Sequence, residues 1–407
     1  MKNYSFERLN IVSEYKVLKR SFYIAYSVGS LNIFLLTIYM VHVPILLEIL
    51  KITKVEFSFG LTLFGLFSII SNQATTLFLT PKIGTKNCIV ISRTIISFLP
   101  FIVFFSESYF VFLIVSSVWG LAMGIQVPNV LLQVSIIEKK TAEILNPIFK
   151  SAFSIGVICG SITASVALGY NFNPINIFIF FGFIFIFSAV TIYFFGLPRK
   201  YDIVSKGSKF TLPSKGVFIF GFINMLIFAS MGIIAQWSSL WLLNDLNAAI
   251  FMAGSIVLFF NIGGIISNFL ASNLINLFNE KIVGPYFSII GSIILIVSIT
   301  TMNLYIILLA MIIFGFFTSN LLPIVIRLAV KISKEPMPKT ISHITSIGQA
   351  GALFGPAIVG FSASIFGLTF NMYALGFIFL GISFLLLTAI KNNTVVGVEG
   401  IEPTPPK

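Results

Sequence analysis

Within its apolar stretches the sequence spaces carboxamide side chains as one helix face would. Gln126, Asn129 and Gln133 follow i, i+3, i+7, and Asn261 and Asn268 lie seven apart. Ser342, Thr345 or Ser346, and Gln349 keep the same rule, so each set shares a face. Asn32, Asn72, Gln73 and Asn320 stand singly in other apolar runs. A carboxamide both donates and accepts hydrogen bonds, which suits a neutral polyhydroxyl or amide-bearing solute. Hydrocarbon penalises these groups, so they turn toward a bundle interior or a wet cavity. Bonds between helices, worth about 0.6 kcal/mol each, are the plain role for any one of them. As a set, they are expected to line a wet central cavity that holds no carboxylate.

Charged side chains stand nearer the ends of the apolar runs. Arg93 lies about a turn into the third run, Lys150 about a turn into the fifth, and Arg327 about a turn from the end of the tenth. All three are expected to snorkel to the interface. The face of Lys150 continues through Ser154 and Ser161, so Lys150 is also a candidate for attracting an anionic group. His42 and His343 stand near run ends, with packing roles expected. Trp237 and Trp241, four apart, fit an interfacial belt or stacking on a sugar ring. The candidate solute contacts are Asn32, Gln126, Asn129, Lys150, Gln236, Trp237, Asn261, Asn320 and Gln349. The sequence has no Gly-Lys-Ser/Thr phosphate cradle, no HExxH and no CxxC. No catalytic residue, metal or cofactor is therefore expected.

These residues are positioned by elements that only a membrane accommodates. Of 407 residues, 57% are apolar and 9% are charged, with 46 Phe and a mean hydropathy of +1.04. A soluble fold has too little polar surface to cover that much apolar area. Twelve runs are long enough to cross a bilayer as helices: 22–47, 57–80, 88–107, 109–137, 146–169, 175–196, 215–243, 249–278, 282–302, 304–331, 340–367 and 370–390. The expected fold is all-α. The net charge of +12 marks orientation and not a nucleic-acid partner, because the basic residues sit between the runs. All but Lys51 and Lys54 fall toward one side, which predicts both termini in the cytoplasm of a multi-pass protein of the cell membrane. Cys88 and Cys159 are expected as free thiols in the membrane core.

The chain also repeats itself. At a constant offset of 195 residues, Lys86 meets Lys281, Gly120 meets Gly315, Pro128 meets Pro323 and Lys139 meets Lys334. Ser151 meets Ser346, and Gly156 and Gly160 meet Gly351 and Gly355. Six helices per repeat is an even number, so the halves enter the membrane in the same sense. The expected organisation is a cytoplasmic N-terminal segment 1–21, a six-helix bundle 22–196, a cytoplasmic loop 197–214, a second bundle 215–390 and a disordered tail 391–407. Glycine pairs four apart, Gly120 with Gly124 and Gly156 with Gly160, suit close helix contact.

Over residues 20–390 this pattern resembles the major facilitator superfamily, whose members are twelve-helix transporters with a basic central loop. Thr80-Pro81-Lys82-Ile83-Gly84-Thr85-Lys86-Asn87 is similar to the signature loop of that superfamily. Lys82, Gly84 and Lys86 match and form the expected gating loop, while the Asp of its Asp-Arg pair is missing. In the family this loop latches the two halves, and the absent acid removes one partner of that latch. Gln236-Trp237-Ser238-Ser239-Leu240-Trp241-Leu242 and Phe149-Lys150-Ser151-Ala152-Phe153-Ser154-Ile155-Gly156 resemble a sugar-permease-like branch, the YbjJ-like proteins. That branch has Asp where Gln236 stands and His where Lys150 stands. The resemblance implies a transporter that works through a bilayer by alternating access, for which a monomer suffices. The amide-rich, carboxylate-free centre points to a small polar, uncharged solute. Efflux of apolar drug-like compounds is the nearest alternative. A membrane-embedded enzyme or assembly factor is a third.

Overall fold

Helix is the only regular backbone among the described residues, because hydrocarbon leaves backbone amides no partner outside their own segment. The computed structural model describes residues 2–141, 143, 145–202, 214–333 and 337–395. Among these, eleven helices are long and apolar enough to cross a membrane. They are α1 (Glu14–Val41), α2 (Lys54–Ala74), α3 (Thr85–Ser106), α4 (Tyr109–Thr141), α5 (Ser151–Gly169), α6 (Pro174–Phe195), α7 (Gly216–Asn244), α8 (Ile250–Ala271), α9 (Glu280–Thr300), α10 (Leu304–Lys331) and α12 (Leu368–Lys391). The remaining expected run forms α11 (Met337–Phe366). The N-terminal stretch read as a polar segment is helical from Lys2 and runs straight into α1. The expected tail is helical as far as Val395, and the rest of it lies outside the described residues.

Helix ends carry local signals that stop the chain between spans. Thr53 and Glu56 form a capping box at the start of α2, with Thr53 N donating to Glu56 Oε2 at 2.7 Å and Glu56 N to Thr53 Oγ1 at 3.2 Å. Asn173 caps α6 ahead of Pro174, accepting from Ile175 N at 2.9 Å. Asn303 does the same for α10 at Tyr305 N and Ile306 N. Two of the helices contain a π turn or end in one: Thr75–Leu79 follows α2, and Ile233–Trp237 lies inside α7. α4 runs unbroken through Pro128, whereas α10 breaks at Ser319–Asn320, just before the equivalent Pro323.

The chain sorts into two compact units. The first holds residues 1–209 together with 235–258 and 356–364; the second holds 210–234, 259–355 and 365–407. The same close crossing recurs in each. A Cβ on Gly156 would stand 2.3 Å from the Ser30 carbonyl oxygen. One on Gly351 would stand 1.9 Å from that of Met225. Ser30 and Met225 are themselves 195 apart, so the α1–α5 contact of the first unit and the α7–α11 contact of the second share one register. Only glycine lets the backbones approach this closely. Outward faces are apolar: on α6, Phe180, Phe183 and Phe187 follow i, i+3, i+7 and each is more than 60% exposed. That pattern suits lipid as the solvent.

Candidate functional site

Inside the first unit a relay of three side chains joins three helices. Arg93 of α3 is fully buried, where sequence placed it at the interface. Its Nη1 donates to Asn32 Oδ1 of α1 at 2.5 Å and to the Val28 carbonyl at 3.3 Å. Its Nε donates to Ser188 Oγ of α6 at 2.7 Å. The guanidinium carbon lies 3.8 Å from the ring centroid of Phe185, close enough for a cation–π contact. Asn32 passes the chain on: its Nδ2 donates to Gln126 Oε1 of α4 at 2.5 Å. Arg93 misses the interface because α3 starts deep: Thr85 and Cys88 are already buried, so two further turns carry the guanidinium to the core. The interior therefore holds a cation, not only neutral amides.

The other residues of the α4 stripe serve the same bundle. Asn129, expected to face a wet cavity, is buried, with Oδ1 accepting from Thr80 Oγ1 at 2.8 Å and Nδ2 donating to the Ile125 carbonyl at 2.7 Å. Both its polar ends are occupied by the protein. Gln133 donates to Thr85 Oγ1 at 3.0 Å. In the second unit Asn320 is buried and donates to the carbonyl and hydroxyl of Ser267 at 3.2 and 2.9 Å. Asn261 is half-buried and Gln349 is exposed. The side chain of Lys150 lies outside the described residues.

Gln236 and Trp237 sit on the π turn of α7. Trp237 is fully buried, its indole edge on Phe57 at 5.9 Å and 87°. Both Gln236 Oε1 and Trp237 Nε1 are buried without a hydrogen-bond partner. A π turn inserts one residue into the helical ladder and is frequent at functional sites. His42 has a packing role, its Nδ1 2.8 Å from the Ile38 carbonyl and its ring on Phe178. Cys88 is buried as expected, but Cys159 is exposed; both are free.

The loop from Lys82 to Lys86, expected to gate, is held from within its own unit. Gly84 has φ +84°, and a Cβ there would meet Asp202 Oδ2 at 2.7 Å, so the position calls for glycine. Asp202 accepts from Thr85 N at 3.0 Å and Thr85 Oγ1 at 2.7 Å, capping α3. Arg199 donates to the Lys82 carbonyl at 2.9 Å, and Lys86 Nζ donates to the Tyr193 carbonyl at 3.0 Å. Tyr201, also buried, has Lys140 and Lys200 at 4.9 Å from its ring. The acid missing from the loop is thus supplied by the segment after α6. In the second unit Glu280, which opens α9, binds Arg327 at 2.5 Å and Lys331 at 3.0 Å. Arg327 makes this pair with its side chain more than half exposed.

A membrane-spanning, all-α chain with an internal six-helix repeat and a polar buried interior defines a class of polytopic transporter folds. Comparison with known proteins narrows the class. The profile of the Major Facilitator Superfamily matches residues 25–219. An uncharacterized MFS-type transporter of Yersinia pestis is 29% identical over 254 residues, covering 61% of this chain and 64% of that protein. This chain therefore aligns with somewhat under two thirds of the length of that relative. A bacterial homologue of the human lysosomal transporter Spinster superposes with a TM-score of 0.76 at 12% identity, over 95% of this chain and 99% of that one. The nucleoside transporter NupG superposes at 0.67 and 16% identity, over 93% and 99%. Residues 25–219 thus match the Major Facilitator Superfamily, the relative is an MFS-type transporter, and the solved structures share the fold along nearly the whole chain.

Proposed function

We propose that this protein moves a small polar, sugar- or metabolite-like solute across the cell membrane by alternating access, with both termini in the cytoplasm. The observation that carries the reading is the π turn of α7. It presents a buried acceptor, Gln236 Oε1, beside a buried donor, Trp237 Nε1, neither with a protein partner. Buried polar atoms are rarely left unpaired, and a solute bearing hydroxyl or amide groups satisfies one of each. Asn32 and Gln126 lie in the same unit, and Asn261, Asn320 and Gln349 are the corresponding candidates in the other. Orientation rests on the basic residues between spans, and a single copy suffices for this mode of transport.

A thermal-shift screen of the purified protein against sugars, nucleosides, amino acids and organic acids tests the reading, since a ligand of the folded form raises Tm by mass action. Trp237→Phe keeps the ring against Phe57 and deletes only the N–H. It is expected to weaken binding of the active solute about tenfold, the worth of one hydrogen bond, with abundance unchanged. Equal loss of abundance and binding would assign Trp237 to packing. Efflux of apolar compounds draws on a cavity of about 490 Å³ between α5 and α6, lined by Ile162, Val166, Phe180 and Phe181. Stabilisation by apolar drugs alone in the same screen would favour that alternative.

A further inference from the structure

Arg93 is a buried cation without a counter-charge. Among the described residues its bonding and ring partners are all neutral: the carboxamide of Asn32, the hydroxyl of Ser188, the carbonyl of Val28 and the ring of Phe185. Among the described residues no carboxylate pairs with it; the acid that pairs with arginine is Glu280, in the other unit. Isolated charge in a low-dielectric interior is costly unless paired.

The direction of the relay is also fixed. A guanidinium has no acceptor, so Asn32 must turn its oxygen toward Arg93 and its Nδ2 toward Gln126. Gln126 then accepts with Oε1 and is left with Nε2 as a free donor. Gln126 Nε2 and Arg93 Nη2 are both buried and both without a partner. Each end of the relay therefore offers a hydrogen, and the whole carries one positive charge. Neutral solutes with mixed groups do not match such a site; a small, singly charged acceptor does.

We propose that the Arg93–Asn32–Gln126 cluster binds a small monovalent anion, either a halide or the carboxylate of an organic acid. Its occupant supplies the missing counter-charge and accepts from a free N–H at one end of the relay.

The test uses the full-length protein, purified in a neutral detergent and kept in a chloride-free sodium buffer whose anion is a bulky sulfonate. Chloride, bromide, formate and acetate are titrated at constant sodium concentration and ionic strength while Tm is followed. The wild type is expected to show a saturable rise of several degrees with at least one of them. A rise with halides identifies a free ion; a rise with formate and acetate alone identifies the carboxylate of a solute. Gln126→Glu still accepts from Asn32 but places its own carboxylate beside the relay. It is expected to melt in chloride-free buffer at or above the wild-type temperature and to lose the response to anions. Arg93→Met, which removes the charge and keeps an apolar stem, is expected to lose the response as well. A wild type indifferent to all four anions, or a response retained in both variants, would overturn the proposal.

Discussion

The two repeats share a backbone and differ in what they bury. At the 195-residue offset, Arg93 corresponds to Ser288, Asn32 to Ile227, Gln126 to Leu321 and Ser188 to Ser383. The second unit needs no relay there: Ser288 and Ser383 both donate to the Phe379 carbonyl, at 3.4 and 2.8 Å. The helix-start position shows the reverse. Thr85 of the first repeat is neutral and takes its acid from Asp202, while the equivalent Glu280 is itself the acid and draws in Arg327 and Lys331. The first repeat thus buries a cation in its core and borrows the acid at its helix start from the segment after α6, while the second carries that acid in the helix itself. One packing frame accepts either arrangement because the frame is set by close glycine crossings and not by polar bonds.

Four substitutions probe that comparison, from the largest expected effect to the smallest. Gly156→Val and Gly351→Val drive side chains into the carbonyls of Ser30 and Met225. Each is expected to cost about 3 kcal/mol, the upper part of the overpacking range, and the two losses should match. Unequal losses, read as folded yield by size-exclusion chromatography in detergent, would break the shared frame. Glu280→Gln removes the acid from two basic partners. Glu280 is nearly buried but its partners are more than half exposed, so screening limits the expected loss to about 1–2 kcal/mol. That loss should shrink as salt rises, and a salt-independent loss would contradict the ion-pair account. Asp202→Asn weakens one cap on α3 and is expected to cost about 1 kcal/mol. Thermal melting of the two end variants side by side would sharpen the comparison, with Glu280→Gln the larger. Equal melting would mean that the two helix starts are held alike.

Much of the frame was legible without coordinates. Length and apolarity define the spans, because the bilayer sets both, and the repeat offset found in the sequence reappears in the Gly156–Ser30 and Gly351–Met225 crossings. The polar interior was legible only in composition. Gln126 and Asn129 read as cavity lining from their helical stripe, but a stripe cannot say which neighbour meets it. Thr80 and Asn32, far away in sequence, decide that. Arg93 read as interfacial because its depth depends on where α3 begins relative to its neighbours. The contrast of Arg93 with Ser288 across the repeat was the available sign that this position is special. Asp202 gave no local signal, since the loop it completes lies 117 residues earlier.

The relay in the first unit has a consequence for insulation. A file of hydroxyls or waters can turn over and hand charge along by successive hops. Two carboxamides in series cannot, because an amide that gives up a hydrogen on one side does not regain it from the other. Arg93, Asn32 and Gln126 therefore place polarity in the middle of the helices without laying a wire through them. A proton gradient finds no hydroxyl chain to hop along through these three side chains.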